Sequence, residues 1–176
     1  MEKRKLEDYV TSIPDFPKEG VIFRDITSVI ENPEGFRMAV DELQKLLDGV
    51  DFDLIVAAES RGFVFGAPLA YNNGKGLVLV RKKGKLPRET ISCSYDLEYG
   101  EATLEVHKDA VKKGQKIILI DDLLATGGTL EAMASLVEEL GGEVVKMLCL
   151  IELPQLGGRE KLKNWEIGTV ISFDGD

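Results

Sequence analysis

The chain is poor in the residues that build metal sites and disulfide frameworks, with two cysteines, one histidine and one tryptophan in 176 residues. Cys93 and Cys149 stand far apart, without CxxC spacing or a histidine partner. Neither zinc nor a disulfide is expected, and both read as small apolar residues. Positive charge is also in the minority. Lys and Arg number 22 against 31 Asp and Glu, a net charge of -9, which argues against a nucleic-acid coat or a polybasic membrane binder. No apolar run approaches the roughly 18 residues of a membrane span. The opening MEKRKLEDYV lacks the apolar segment of a signal peptide. The expectation is a cytoplasmic protein with neither nucleic acid nor membrane as partner. Internal repeats and low-complexity tracts are missing as well.

What remains is an ordinary globular composition, 44% hydrophobic and 30% charged, at a length that suits one domain over residues 1–176. Pro14, Pro17, Gly20 and Pro33 punctuate the N-terminal segment, so helix is expected there only up to about Ser12. From Pro33, the residues Phe36, Met38, Val40, Leu43, Leu46 and Leu47 recur near a helical period, with Asn32 as cap. An amphipathic helix ending near Gly49 follows. LIVAA at 54–58, LVLV at 77–80, IILI at 117–120 and VVKMLCLI at 144–151 are short unalternating apolar runs, the pattern of strands covered on both faces. Helical stretches, GFVFGAPLAYNN and LEAMASLVEELG, fall between them. Strand, helix, strand at these lengths predicts crossover connections and an α/β fold with a mostly parallel sheet. Residues 84 to about 100 fit neither period and read as a long loop, with a hairpin as the alternative. His107 falls in a strand after that loop, at a surface or edge position, and is given no role.

In an open parallel sheet, ligands bind beyond the carboxyl ends of the strands. The most informative window there is IILIDDLLATGGTLEAM, residues 117–133. Its glycines allow backbone N–H groups to approach a ligand, the hydroxyls of Thr126 and Thr129 can donate, and a helix N-terminus follows. Together these suit a phosphate. Asp121 and Asp122 beside such a cradle are odd unless sugar hydroxyls or Mg²⁺ with its waters intervene; the alternative is a polar strand end with a threonine cap. Neither GxxxxGK[ST] nor GxGxxG after a strand occurs, so this is not one of the common nucleotide cradles. Arg61 in ESRG, after LIVAA, can pair bidentately with a phosphate or form an ordinary surface pair with Glu59. RKKGKLPR at 81–88 puts five cations in eight positions. That is either a solvated face or a steering patch for a multiply phosphorylated substrate.

The acid pair followed by TGGT resembles the phosphoribosyl pyrophosphate motif of the type I phosphoribosyltransferases. FPKEGVIFRDIT at 16–27, AAESRGFVFGAPLA at 57–70 and VRKKGKLPRET with SYDLEYG at 80–100 narrow the likeness to the adenine phosphoribosyltransferase family, from about Tyr9 to Lys163. The resemblance implies the fold of that family: a central, mostly parallel sheet with a small N-terminal hood at about 1–32 and a flexible catalytic loop at about 84–102. It implies that Asp121 and Asp122 hold the ribose hydroxyls and that Ala125, Thr126, Gly127, Gly128 and Thr129 wrap the 5′-phosphate. Glu59, Ser60, Arg61, Arg81, Lys82 and Lys85 are implied for the pyrophosphate; Lys83 stands where the family often has proline. Glu98, with Tyr99 and Arg61, is implied for catalysis, Glu98 as general acid or base at a purine nitrogen. An exposed loop glutamate is otherwise a bystander. Such proton management contributes about 10²–10⁴-fold, and a closing loop suppresses hydrolysis of the activated sugar.

The base pocket is implied at Ile22, Phe23, Arg24 and Leu153. Phe23 and Leu153 would sandwich a flat purine, and backbone groups of Ile22 and Arg24 would read its edge; Phe23 also reads as an ordinary core aromatic. The implied reaction converts adenine and 5-phosphoribosyl 1-pyrophosphate to AMP and pyrophosphate. Mg²⁺ is the implied cofactor, carried mainly through the substrate, and a homodimer is implied in which the Arg81 to Lys85 stretch reaches across the interface. Glu19 replaces a common proline in FPxPG, and the tail after Trp165 matches only loosely. The competing readings are a transferase for a 6-oxopurine, which a mispaired buried polar group would reject by about 1–3 kcal/mol, and a non-catalytic sensor of phosphoribosyl pyrophosphate. The acidic balance weighs against the second.

Overall fold

The structure, a computed structural model, describes residues 4–97 and 100–174. A single 3-10 turn at Leu6–Tyr9 is followed by β1 (Thr11–Ile13), which pairs antiparallel with β2 (Phe23–Asp25). The expected helix up to Ser12 is thus replaced by one turn and a short strand. Pro14 and Pro17 leave too few residues to nucleate a helix, and Thr11–Ile13 finds its backbone partners in β2. A short helix α1 (Thr27–Glu31) leads into α2 (Pro33–Lys45). The side chain of Asn32 accepts from the N–H groups of Glu34 and Gly35, both at 3.0 Å, and Pro33 occupies the first turn, as the sequence predicts. Helical geometry ends at Lys45, and turns carry the chain on to Gly49.

The four apolar runs become β3 (Leu54–Ala58), β4 (Gly76–Lys82), β7 (Lys116–Leu124) and β8 (Glu143–Glu152). α3 (Arg61–Asn73) runs between β3 and β4, and α4 (Gly128–Glu139) between β7 and β8. With β5 (Thr90–Asp96), β6 (Glu101–His107) and β9 (Ile167–Ser172) they form one seven-stranded sheet in the order β5-β6-β4-β3-β7-β8-β9. The β4-β3-β7-β8-β9 block is parallel, and β6 pairs antiparallel with both β4 and β5. Both faces are covered. Ile55, Ala57, Ile118 and Ile120 belong to one apolar cluster with Leu43 of α2 and Phe65 of α3. Val56, Ala58, Ile117 and Leu119 belong to a second with Met133 and Leu136 of α4. That is why these strands read as unbroken apolar runs.

One open reading is filled in and two others change. Most of the expected 84–102 loop is the β5–β6 hairpin, in register from Thr90↔His107 to Asp96↔Glu101. His107 consequently lies on an interior strand, half-buried, where its Nε2 accepts from the Arg88 N–H at 3.3 Å. β9, in the tail that matched only loosely, extends the sheet by pairing with β8.

Candidate active site

The expected segments at 59–61, 81–85, 121–129 and 153 lie at or just beyond the carboxyl ends of parallel strands, while Ile22, Phe23 and Arg24 stand at the separate β1–β2 pair. β7 does not stop at its apolar run: it continues through Asp121 and Asp122 to Leu124, still paired with β8. The acid pair is therefore fixed by the sheet rather than carried on a loop. Residues 125–127 then turn into α4, and Gly127 stands at the helix cap with φ +86°, a conformation costly for any residue with a Cβ. Residues 121 and 123–130 line a cleft of about 60 Å³. By volume that is room for about two waters, the scale of a phosphate group.

Asp122 is buried and accepts a 2.6 Å hydrogen bond from Arg61 Nε. Asp121 accepts the Asp122 backbone N–H on its own Oδ1 at 2.8 Å. Burial, reinforced by the neighbouring Asp122 carboxylate, raises the pKa of Asp121 well above the ordinary carboxylate value. A group in that state is ready for a hydroxyl partner or a cation, either of which would relieve the isolation of its charge. Arg61 opens α3, and its guanidinium ties the acid pair to the Glu59–Arg61 segment, whose Glu59–Ser60 peptide is cis. The Arg61 side chain remains about half exposed. Desolvation pulls its pKa down, but the charges of Asp122, Asp121 and Asp25 outweigh that and raise it. Close packing sets this approach, since a Cβ on Gly62 would lie 3.0 Å from the Ile120 carbonyl.

Glu59 faces cations. Its Oε1 accepts from Lys85 Nζ at 2.8 Å and Arg81 Nη2 at 3.4 Å, while Oε2 accepts the Lys82 backbone N–H at 2.7 Å. Burial alone would raise its pKa; the hydrogen bonds from Lys85 and Lys82 with the charges of Lys85 and Arg81 bring it down to about 2. Glu59 thereby holds Arg81 and Lys85 on one carboxylate. Arg81 Nε is buried without a hydrogen-bond partner. Ser60 sits at the N-cap of α3, where its side chain makes no capping bond.

In the hood, Phe23 lies on β2 with its ring edge-on to Phe16, centroids 5.2 Å apart. Ile22, half-buried, precedes it. The guanidinium of Arg24 sits 4.4 Å from the centre of the Phe173 ring. Phe173 in turn donates its N–H to the Glu152 carbonyl, and Leu153 donates its N–H to the Leu124 carbonyl at 2.9 Å. Arg24 thus reaches the residue that follows β9, which is itself bonded to the end of β8 from which Leu153 leaves.

Glu98 and Tyr99 lie outside the described residues. Two neighbours of the site escaped the sequence reading. Tyr95 of β5 places its hydroxyl 3.1 Å from Thr129 Oγ1, and its ring lies 3.2 Å from where a Gly128 Cβ would be. Asp25 ends β2 with its carboxylate accepting from the Thr27 N–H and hydroxyl, and contributes to the field at Arg61. Tyr95 was visible as the third inward residue of the alternating Ile91, Cys93, Tyr95 pattern; no local signal marked Asp25. Among the described residues no group of three or more His, Cys, Asp or Glu converges as a metal cage.

A family model described as the phosphoribosyl transferase domain matches residues 29–174. An adenine phosphoribosyltransferase of Agathobacter rectalis is 60% identical over 172 residues, 98% of this chain and 99% of that one. A crystal structure of adenine phosphoribosyltransferase from Thermoanaerobacter pseudethanolicus superposes with a TM-score of 0.92 at 53% identity, covering 96% of this chain and 100% of the other. The Saccharomyces cerevisiae enzyme, solved with adenine and an imino-altritol bisphosphate, gives 0.88 at 39% identity, covering 94% and 96%.

Proposed function

The chain belongs to the phosphoribosyl transferase family, and from that premise we propose how its own residues carry out the reaction. That reaction transfers the 5-phosphoribosyl group of 5-phosphoribosyl 1-pyrophosphate to adenine, forming AMP and pyrophosphate in purine salvage. The observation that carries the residue assignments is the shared carboxyl edge. There the 125–129 turn, the acid pair, the Glu59–Arg61 segment and Leu153 all meet.

Backbone N–H groups of Ala125 to Gly128, with the Thr126 and Thr129 hydroxyls, bind the 5′-phosphate at the N-terminus of α4. Asp121 and Asp122 accept from the ribose hydroxyls and so orient C1′ toward the base. Arg61, Arg81 and Lys85, with the Lys82 and Ser60 region, receive the diphosphate; Glu59 keeps Arg81 and Lys85 together before it arrives. The buried, unpartnered Arg81 Nε supports this, since a buried donor left unpaired costs about 1–3 kcal/mol and calls for an acceptor. Phe23 and Leu153 cover the two faces of adenine while the backbone at Ile22 and Arg24 reads its edge. Glu98, aided by Tyr99, manages the proton at the purine nitrogen as the bond to C1′ forms; here the support is the chemistry of a loop carboxylate in SYDLEYG.

The donor set suits Mg²⁺ held mainly through the substrate, because Asp122 is already committed to Arg61 and no cage of protein donors converges among the described residues; Asp121 would be the carboxylate left to face it. When bound, the ion neutralises the departing pyrophosphate. We also assign a homodimer, supported by the exposure of Tyr71 on α3 and of Leu79 on an interior strand, with the Arg81 to Lys85 stretch reaching toward the partner. A cytoplasmic setting fits substrates whose phosphate charges keep them from crossing a membrane.

Steady-state pyrophosphate release with Mg²⁺, run with adenine, hypoxanthine, guanine and xanthine, tests the assignment. Turnover confined to adenine supports the pocket at Phe23 and Leu153. Turnover only with a 6-oxopurine overturns that pocket and leaves the phosphate sites standing, and silence with all four removes the catalytic reading.

A further inference from the structure

Among the described residues, Glu105, Asp122 and Glu152 are charged residues buried in the fold. Asp122 belongs to the acid pair, and Glu105 accepts from the Gly84 N–H in the β4–β5 connection. Glu152 has no part in the chemistry described so far. Its Oε1 accepts from Arg159 Nε at 2.6 Å, and its Oε2 accepts from Arg159 Nη2 at 2.9 Å and from the Thr169 hydroxyl at 2.8 Å. Arg159 also donates to Thr169 Oγ1 at 3.1 Å. This is a two-pronged guanidinium–carboxylate clamp with its oxygens satisfied, the arrangement that fixes direction as well as distance.

Its position makes that direction useful. Glu152 is the last residue of β8, and Leu153 follows it immediately. The backbone there is held from both sides, by Phe173 N–H on the Glu152 carbonyl and by Leu153 N–H on the Leu124 carbonyl. Arg159 comes from a short helix, α5 (Gly158–Lys161), that packs behind the phosphate turn so tightly that a Cβ on Gly158 would lie 2.6 Å from the Ala125 carbonyl. The clamp therefore joins the strand end that presents Leu153 to the element that backs residues 125–127. A surface ion pair placed only for solubility has no reason to bury its carboxylate at that junction.

We propose that Glu152 and Arg159 are a positioning pair for the adenine site, holding Leu153 against one face of the base; the inference rests on the assignment of Leu153 as a wall of the base pocket. The pair touches no substrate and acts only through Leu153. Removing Arg159 leaves the buried Glu152 uncompensated, so the strand end must shift or rehydrate. Adenine, held by that wall, should feel the shift more than phosphoribosyl pyrophosphate does.

The test is steady-state kinetics and thermal unfolding of the full chain bearing Arg159→Ala, Arg159→Lys, Thr169→Val or Leu153→Ala. Arg159→Ala should raise the KM for adenine about tenfold while the KM for phosphoribosyl pyrophosphate stays within about twofold, and Arg159→Lys should restore part of the loss. Thr169→Val, which keeps the shape and removes one hydroxyl, should move the adenine KM in the same direction by about threefold and remains informative if Arg159→Ala does not fold. A lower Tm or kcat in the Arg159 and Thr169 variants with an unmoved adenine KM marks a purely structural pair and overturns the proposal. Leu153→Ala separates the two levels. If it leaves the adenine KM unchanged, the base-wall assignment falls and the positioning role with it; if it raises that KM while the Arg159 and Thr169 variants do not, the wall stands and only the positioning role is lost.

Discussion

The Tyr95 hydroxyl lies 3.1 Å from Thr129 Oγ1, joining the hairpin in front of the sheet to the turn assigned to the 5′-phosphate. With Tyr95 as the donor of this pair, the Thr129 proton is left free to donate to a phosphate. Gly128 makes room for the ring, because a Cβ there would sit 3.2 Å from Tyr95 Cδ2. Hairpin position and phosphate binding are thereby linked through one hydroxyl pair.

Tyr95→Phe keeps the ring on Gly128 and removes that link. The KM for phosphoribosyl pyrophosphate should rise about three- to tenfold, with the KM for adenine nearly unchanged. Thr129→Val should act in the same direction. The double variant should cost less than the sum of the singles, since the two act through one contact; additive losses measured in the cycle would separate them.

Glu59 illustrates how the site depends on pH. Its pKa is lowered from 4.5 to about 2 by Lys85, Lys82 and Arg81, which overcome the effect of burial. A lowered carboxylate pKa contributes stability that is present above the unfolded value and lost as pH falls through the folded one. Wild type should exceed Glu59→Gln in Tm at pH 7, and the gap should close as pH falls from about 4.5 toward 2. At neutral pH the variant should also bind phosphoribosyl pyrophosphate more weakly, with Arg81 and Lys85 no longer gathered. A pH-independent gap in thermal scans would show that the charge of Glu59 is not what matters.

The loop carboxylate is a separate matter from the phosphate sites. Glu98→Gln should lower kcat by about tenfold or more while leaving the affinity for phosphoribosyl pyrophosphate nearly unchanged, since a proton carrier acts in the transition state rather than in binding the sugar. Equal turnover of the two proteins in a steady-state assay would remove Glu98 from the mechanism.

The parts of this molecule legible in its sequence are those governed by local rules. Asn32 before Pro33 announces a helix start, and the unbroken Ile55 to Ala58 run announces a strand buried on both faces. β5 was harder to read because Ile91, Cys93 and Tyr95 alternate with Ser92, Ser94 and Asp96, a two-residue period made of small and weakly apolar residues. The order of motifs pointed to the carboxyl ends of the strands, but not to the pairing of the side chains there. Arg61 meets Asp122 across 61 positions and Lys85 meets Glu59 across 26, and no spacing rule foretells which cation a carboxylate holds at that range. Glu59 and Arg61 stand two residues apart, yet each is paired elsewhere.

Asp121 sets stability against function. Burial and the adjacent Asp122 raise its pKa well above 3.8, so the native state disfavours its ionised form. By linkage, a raised carboxylate pKa means that the stability it contributes is complete below the unfolded value and is lost as pH rises through the folded one. Asp121→Asn carries no charge and keeps an oxygen for the Asp122 N–H. The variant should match wild type in Tm near pH 4 and exceed it as pH rises above that value, read from thermal scans across the pH range. The same change should raise the KM for phosphoribosyl pyrophosphate, because an amide accepts hydrogen bonds from ribose hydroxyls less strongly than a carboxylate does. An unaltered KM would break the ribose assignment, whereas a Tm gain accompanied by weaker substrate binding would show that this residue is kept for what it holds and at the fold's expense.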